Sequence, residues 1–442
     1  MQFFIGLKEF TTQPVFDPSL FVEIRKRAGN EVFNSLGILL LRNNKIIYSI
    51  IHMEMKNIIK YLKHKAKNLL NLNCRGHFTK TFLPLLDISV KLSANRNYEY
   101  HDKLFEKKID WQSFNSDPEK LRIAAFGTDD DWRRNGIWAA CRKATDFQLF
   151  EVPDGPYPKC KNEKQEQEAK RRDFLAFIRD LNLKKPVTIA LFSHSGRHIS
   201  NKLLEDLNNM GIWTIIMSVD DKHQFLNPVD KYGIPHQLRV AGKANLYWTN
   251  WEGAVPIVFA QGGNPWFAPP AADPRIYHPT SNSKDIDIVF VGGCYGARKE
   301  LVDRLRRWFH VEAFGTGWPN DIVSHADMIA LFGRSKIVLG ISGVGDSIAV
   351  QTLKGRDFEV PMCGTAYLTS FNSEYARCFT VGEEVACYGS IEDCVEVVNW
   401  MLKEPGRTET MGMRARERAI RDHTWDKRLQ DMLKLCHPPT VN

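Results

Sequence analysis

The chain has no C-x-x-C pair, no run of about 18 uninterrupted apolar residues and no short-period repeat, and each absence removes a class of protein. Its nine cysteines fall without regular spacing, and Cys363, Cys378 and Cys394 sit singly in apolar or structured-looking stretches. Such usage reads as reduced, intracellular thiols and argues against a disulfide framework or a zinc site. The nearest approach to an apolar run, residues 38–53, is split by Arg42, Asn43, Asn44 and Lys45, so no spanning helix is expected. The opening residues MQFFIGLKEF lack a basic region and a long apolar core, so no secretory signal is expected either. The expectation is a cytoplasmic protein, soluble or peripheral at a membrane face.

What is present is ample core. With 442 residues, 43% hydrophobic and 11% aromatic, the chain can fill two or three domains. The formal charge of +8 is unevenly placed: residues 1–120 hold 19 Lys and Arg against 12 Asp and Glu, while the remainder holds 41 against 40. A basic clamp spread along the whole chain is therefore excluded, and nucleic acid is not expected as a partner. Residues 1–120 read as a basic, mainly helical extension. Ile51, Met55, Ile58, Ile59, Leu62, Ala66, Leu69 and Leu70 recur at helical spacing, with lysines between them and no acid from Glu54 to Asp87. Residues 50–70 thus suit either peripheral contact with an anionic membrane or packing on the body with a solvated lysine face.

From Leu121 the texture changes. RIAAFG (122–127), VTIALFSH (187–194) and WTIIMSVDD (213–221) read as strands separated by helical runs, the signature of a parallel sheet wrapped by helices. The Gly- and Pro-rich stretch 262–279 reads as a hinge. A second alternating unit follows, with strands at 286–293, 311–318, 336–341 and 365–370 and one long closing helix over 412–435. The fold class is α/β, two Rossmann-like domains facing a cleft, with boundaries at 1–120, 121–275 and 276–442. In such sheets ligands gather where the strands end.

The strongest local signal is VFVGGCYGARKELVDRL (289–305), where Gly293 and Gly296 precede Arg298 and Lys299 at a helix start. Glycines let a diphosphate approach the backbone, and the helix N-terminus and two cations supply positive potential. A surface turn with a solvated Arg–Lys pair is the plain alternative. A second loop carries Gly343 and Gly345, followed by Gln351, Lys354, Arg356 and Glu359. An ionised Glu359 could accept two vicinal ribose hydroxyls, and Arg356 could neutralise charge on a departing diphosphate. An ordinary Arg356–Glu359 salt bridge explains the same residues. In the first half, Asp129, Asp130, Asp131 and His194 sit at strand ends, where they could orient or deprotonate an acceptor hydroxyl or, more plainly, cap helices and meet solvent.

The run GRDFEVPMCG followed by an apolar strand resembles the C-terminal domain of group 1 glycosyl transferases, and within them the CgeB-like, spore-maturation type. FVGGCYGARKEL, FGTGW (314–318) and the closing segment with His423, Thr424 and Trp425 agree with that family, which covers residues 285–435 well and 121–284 weakly. The resemblance implies the GT-B fold and transfer of a hexose-type sugar from a nucleoside diphosphate sugar to a glycan, lipid-linked or protein hydroxyl. It also implies retained configuration and no bound metal or resident cofactor. It places Arg298, Lys299, Gly293 and Gly296 at the diphosphate, Gly317 and Trp318 beside the base, and Glu359 at the ribose. Gln351 stands where the wider group carries an acid. Arg356, Glu359, His194 and Asp131 are the candidate catalytic residues. Gly343, Gly345, Gln351 and Lys354 complete the candidate donor site. A nucleotide-sugar epimerase or a non-catalytic sugar-binding protein of the same fold is the alternative.

Overall fold

The computed structural model describes residues 121–153, 157–158, 160–225, 236–281, 283–343 and 351–436, the side chain of His223 excepted. The basic extension 1–120, the amphipathic segment 50–70 and Gly345 lie outside the described residues. All the described residues belong to one compact unit, Ser93–Asn442.

Two separate parallel sheets form the framework. The first contains β1 (Arg122–Gly127), β2 (Asp146–Glu151), β3 (Ile189–Ser193), β4 (Trp213–Ser218), β5 (Leu246–Thr249) and β6 (Pro265–Phe267), in the order β2-β1-β3-β4-β5-β6. The second contains β7 (Ile286–Val291), β8 (Val311–Phe314), β9 (Ser335–Leu339), β10 (Ala366–Ser370) and β11 (Ala386–Tyr388), in the order β11-β10-β9-β7-β8. Every strand pair is parallel, so each connection must cross over, and helices cover the faces. β1, β3 and β4 are buried along their whole length, which is why they are continuous apolar runs in the sequence.

Two differences from the sequence reading have clear causes. The stretch 262–279 does not run free, because Pro265–Phe267 adds the edge strand β6 beside β5. Proline is tolerated there since an edge strand has a side with no ladder to complete. The closing helix is two helices, Pro405–Asp422 and Trp425–Leu435. Thr424 is extended and its hydroxyl accepts from Lys427 N at 3.2 Å, which caps the second helix and ends the first.

The second of these helices does not stay with the second sheet. Trp425, Leu429, Met432, Leu433 and Cys436 join the core of the first sheet, among Ile123, Trp138, Leu191, Ile215 and Trp248. The chain thus passes between the halves twice, and the passages touch where Ala272 N donates to His423 O at 3.1 Å.

Each sheet has a switch in strand order. From β1 the chain moves to β2 on one side and to β3 on the other; from β7 it moves to β8 and then to β9. The crevices outside these switches are where open α/β sheets bind ligands. They are formed here by residues 128–131 with His194, and by residues 292–297 with 340–343.

Candidate functional site

At the second sheet's edge, two loops lie backbone to backbone. Gly292 N donates to Phe314 O and Cys294 N to Thr316 O, both at 2.8 Å. Gly315 and Gly317 adopt φ of +124° and +87°, and a Cβ on Gly315 would fall 2.6 Å from Gly292 O. Only glycine permits that approach. The Trp318 indole donates to Gly292 O at 2.8 Å and is 6% exposed, with Phe290 edge-on to it and Arg306 over it. Trp318 therefore fastens the loop and shows little of its surface to solvent.

Arg298 and Lys299, adjacent in sequence, part company. Lys299 is exposed and ion-paired with Asp303 one turn along. The plain alternative, a solvated helix-surface pair, describes its present contacts. Arg298 is half-buried, stacked on the Tyr295 ring at 3.9 Å, and donates to Gly293 O at 3.0 Å. Among the described residues no carboxylate pairs with it. Burial lowers its pKa, with the Tyr295, Tyr367 and Tyr388 phenols opposing that shift and the charge of Arg356 adding to it. Gly296, at φ +58°, turns the chain between them and Gly293.

Arg356 opens the helix Arg356–Met362, pairs with Glu359 one turn on, and lies over the Phe332 ring at 5.6 Å. Glu359 is 2% exposed. Burial and the Glu359 charge beside it push the Tyr277 phenol far above its ordinary value. The salt bridge anticipated as the plain alternative is therefore present, and it holds the carboxylate in place. Tyr277 had no distinguishing signal in the sequence.

The remaining donor-site candidates serve contacts between the halves. Gln351 pairs with Gly343 through an isolated bridge, accepts from Ser370 Oγ at 2.7 Å, and receives Lys222 Nζ on its carbonyl at 2.8 Å. Lys354 pairs with Asp220 at 2.8 Å. Lys222 also meets Glu374 at 2.9 Å, and both are buried. Asn250 Nδ2 donates to Leu353 O, and Glu252 N to Glu374. Sequence reading passed over Lys222 and Glu374, because neither lies in a motif. Asp357, buried between Ser342 and Tyr367, is pushed up to about 6 by burial and braces the same loop.

In the first half, Asp130 caps the helical turn Asp131–Arg134 and pairs with Arg133, as the plain reading held. Asp131 is exposed and paired with Arg134, and Asp129 is held by Arg134 as well. His194 is better placed. Its Nδ1 accepts from Ser195 N at 2.9 Å, its ring stacks on His198 at 4.1 Å, and its buried Nε2 has no partner among the described residues. Burial, with His198, Arg133 and Lys170 adding to it, pulls His194 down to about 3. The ring is therefore neutral with its proton on Nε2. It can donate a hydrogen bond to an acceptor oxygen, but its lone pair is already engaged. Beneath it, fully buried Lys170 joins Glu166 and His198, fixing the loop.

Among the described residues no group of three or more His, Cys, Asp or Glu could hold a metal ion. Those residues also include no helix long and apolar enough to cross a membrane.

Two switch-point crevices on two parallel sheets, in contact through Lys222, Asn250 and Lys354, define a GT-B-type α/β protein. Residues 298–434, under half of the chain, match the glycosyl transferase-like family. Among solved structures, sucrose-phosphate synthase from Thermosynechococcus elongatus is similar at 12% identity and a TM-score of 0.53, covering 72% of this chain and 98% of that one. A glycosyltransferase from Rickettsia africae is similar at 11% identity and 0.53, covering 72% and 97%. Both likenesses concern the fold. No curated protein matches at the level of sequence.

Proposed function

We propose that the chain is a glycosyltransferase that moves a hexose-type sugar from a nucleoside diphosphate sugar to a hydroxyl acceptor. The observation that carries this reading is Arg298. A half-buried guanidinium, clamped on Tyr295 beside a glycine turn and without a described carboxylate partner, suits a pyrophosphate. The match of residues 298–434 to the glycosyl transferase-like family supports it. Arg298 and Arg356 would stabilise charge as the diphosphate departs, Glu359 would hold the ribose, and His194 Nε2–H would orient the acceptor. Such charge stabilisation is worth most where water is excluded, as when two halves close on a substrate.

The finer reading is a CgeB-like, retaining, metal-independent enzyme in the cytoplasm, acting in glycan or glycoconjugate synthesis. Family resemblance supports retention and metal independence. The eight described cysteines, all free, accord with a reducing compartment.

The deciding experiment is a melting-temperature screen against UDP-, GDP-, dTDP- and ADP-sugars. At about 100 times Kd, a true donor adds about 2.7 kcal/mol of stability and raises the melting temperature by several degrees. Absence of any shift, or epimerisation of the sugar with no acceptor present, would overturn the proposal.

A further inference from the structure

Trp132 follows β1 on the helical turn Asp131–Arg134, and its indole packs edge-on against Trp425 with ring centroids 5.4 Å apart. Across the division between the halves stands Gly355, immediately before Arg356. A Cβ built on Gly355 would fall 2.7 Å from Trp132 Nε1 and 2.9 Å from Glu359 Oε1. The indole N–H and the carboxylate oxygen therefore border one methyl-sized space. Gly355 has helical backbone angles (φ −55°, ψ −41°), so the residue is needed here for the close approach and not for its backbone conformation.

The rest of Glu359 is enclosed. Arg356 pairs with it, Tyr277 lies beside it, and only 2% of the residue reaches solvent. On the side facing Gly355, it is the indole that borders the carboxylate. Trp132 itself is partly buried and lies at the margin of the first core.

We propose that Trp132 is a gate on the donor subsite: its indole and the ribose diol of a nucleotide are alternative occupants of the space over Gly355 beside Glu359. The inference rests on the reading that Glu359 holds the donor's ribose. Because the indole belongs to the first half and Glu359 to the second, the gate couples donor entry to a displacement at the border between them. Leaving the carboxylate breaks the Trp132–Trp425 contact, and a contact of that kind opposes binding by up to about tenfold.

The test measures the Kd of UDP, GDP, dTDP and ADP for wild type, Trp132→Ala and Trp132→Phe by titration calorimetry. In parallel, the protein labelled with 5-fluorotryptophan is followed by fluorine NMR, the Trp132 resonance being the one missing in Trp132→Phe. The phenylalanine variant keeps an aromatic ring against Trp425, so it guards against misfolding of the alanine variant. The expected result is several-fold tighter binding of one nucleotide to Trp132→Ala, and a Trp132 resonance that moves when that nucleotide binds wild type. Unchanged Kd with an unmoved resonance, or weaker binding in both variants, overturns the gate while leaving the donor reading standing. No binding of any nucleotide to any of the three proteins removes the donor reading and the gate with it.

Discussion

Arg298 and Lys299 are indistinguishable in the sequence, both being cations at the mouth of a glycine turn. Helix phase separates them: a step of about 100° per residue sends Lys299 outward onto Asp303 and leaves Arg298 against Tyr295. Arg298→Ala is expected to weaken donor binding by about ten- to a hundredfold, the loss of charge-assisted hydrogen bonds of roughly 1.5–3 kcal/mol. Lys299→Ala is expected to leave binding within about twofold, since an exposed pair contributes little. Titration calorimetry with the donor identified by the melting screen measures both, and equal losses in the two variants would contradict the division. The sequence singles out both as cations at a glycine turn. What it could not supply was side-chain direction, at Trp318 and Asp131 as well.

At the scale of elements, the fully buried strands β1, β3 and β4 are legible because burial on both faces demands unbroken apolar runs. β2, Asp146–Glu151, escaped because it is an edge strand whose polar and apolar residues mix, and β6 because its proline reads as a breaker. The break at His423–Thr424 was missed because the helical pattern continues on both sides of it. His423 occupies that break, with Nε2 at 3.0 Å from Cys378 O and Nδ1 accepting from Arg428 at 2.9 Å. Burial, reinforced by Arg428, pulls it down to about 4, below the ordinary 6.5. Between these values the unfolded chain binds the extra proton, so stability falls as pH drops through that window, by up to about 3 kcal/mol. Urea unfolding at pH 7 and pH 4.5 should show a smaller acid loss in His423→Gln than in wild type. Asp221 and Asp357, both raised to about 6, act in the opposite direction but equally in the two proteins. A matching acid loss in the variant would refute the assignment.

For the whole molecule, the contact between halves rests on a buried ion pair. Lys222 is on the first half and Glu374 on the second, both nearly out of solvent. Lys222→Met leaves a buried carboxylate without its cation and is expected to cost about 3–5 kcal/mol in urea unfolding. The joint change Lys222→Met with Glu374→Leu should recover most of that loss, because two apolar side chains need no counter-charge. A double variant as unstable as the single one would show that the pair is not coupled. Neither partner could be read from the sequence, since 152 positions separate them and each looks like an ordinary surface charge. The two-sheet architecture, by contrast, was legible from the buried strands, because repeated alternation of strand and helix leaves few other solutions.

The route of the closing segment bears on how the protein is made. Trp425, Leu429 and Met432 plug a core whose strands begin at Arg122, so the first sheet must wait for residues some 300 positions further on to leave the ribosome before its apolar face is sealed. During translation that face stays uncovered after the last strand of the second sheet, Ala386–Tyr388, has been made. A nonsense change at Thr424 would therefore injure the half it lies farthest from in sequence.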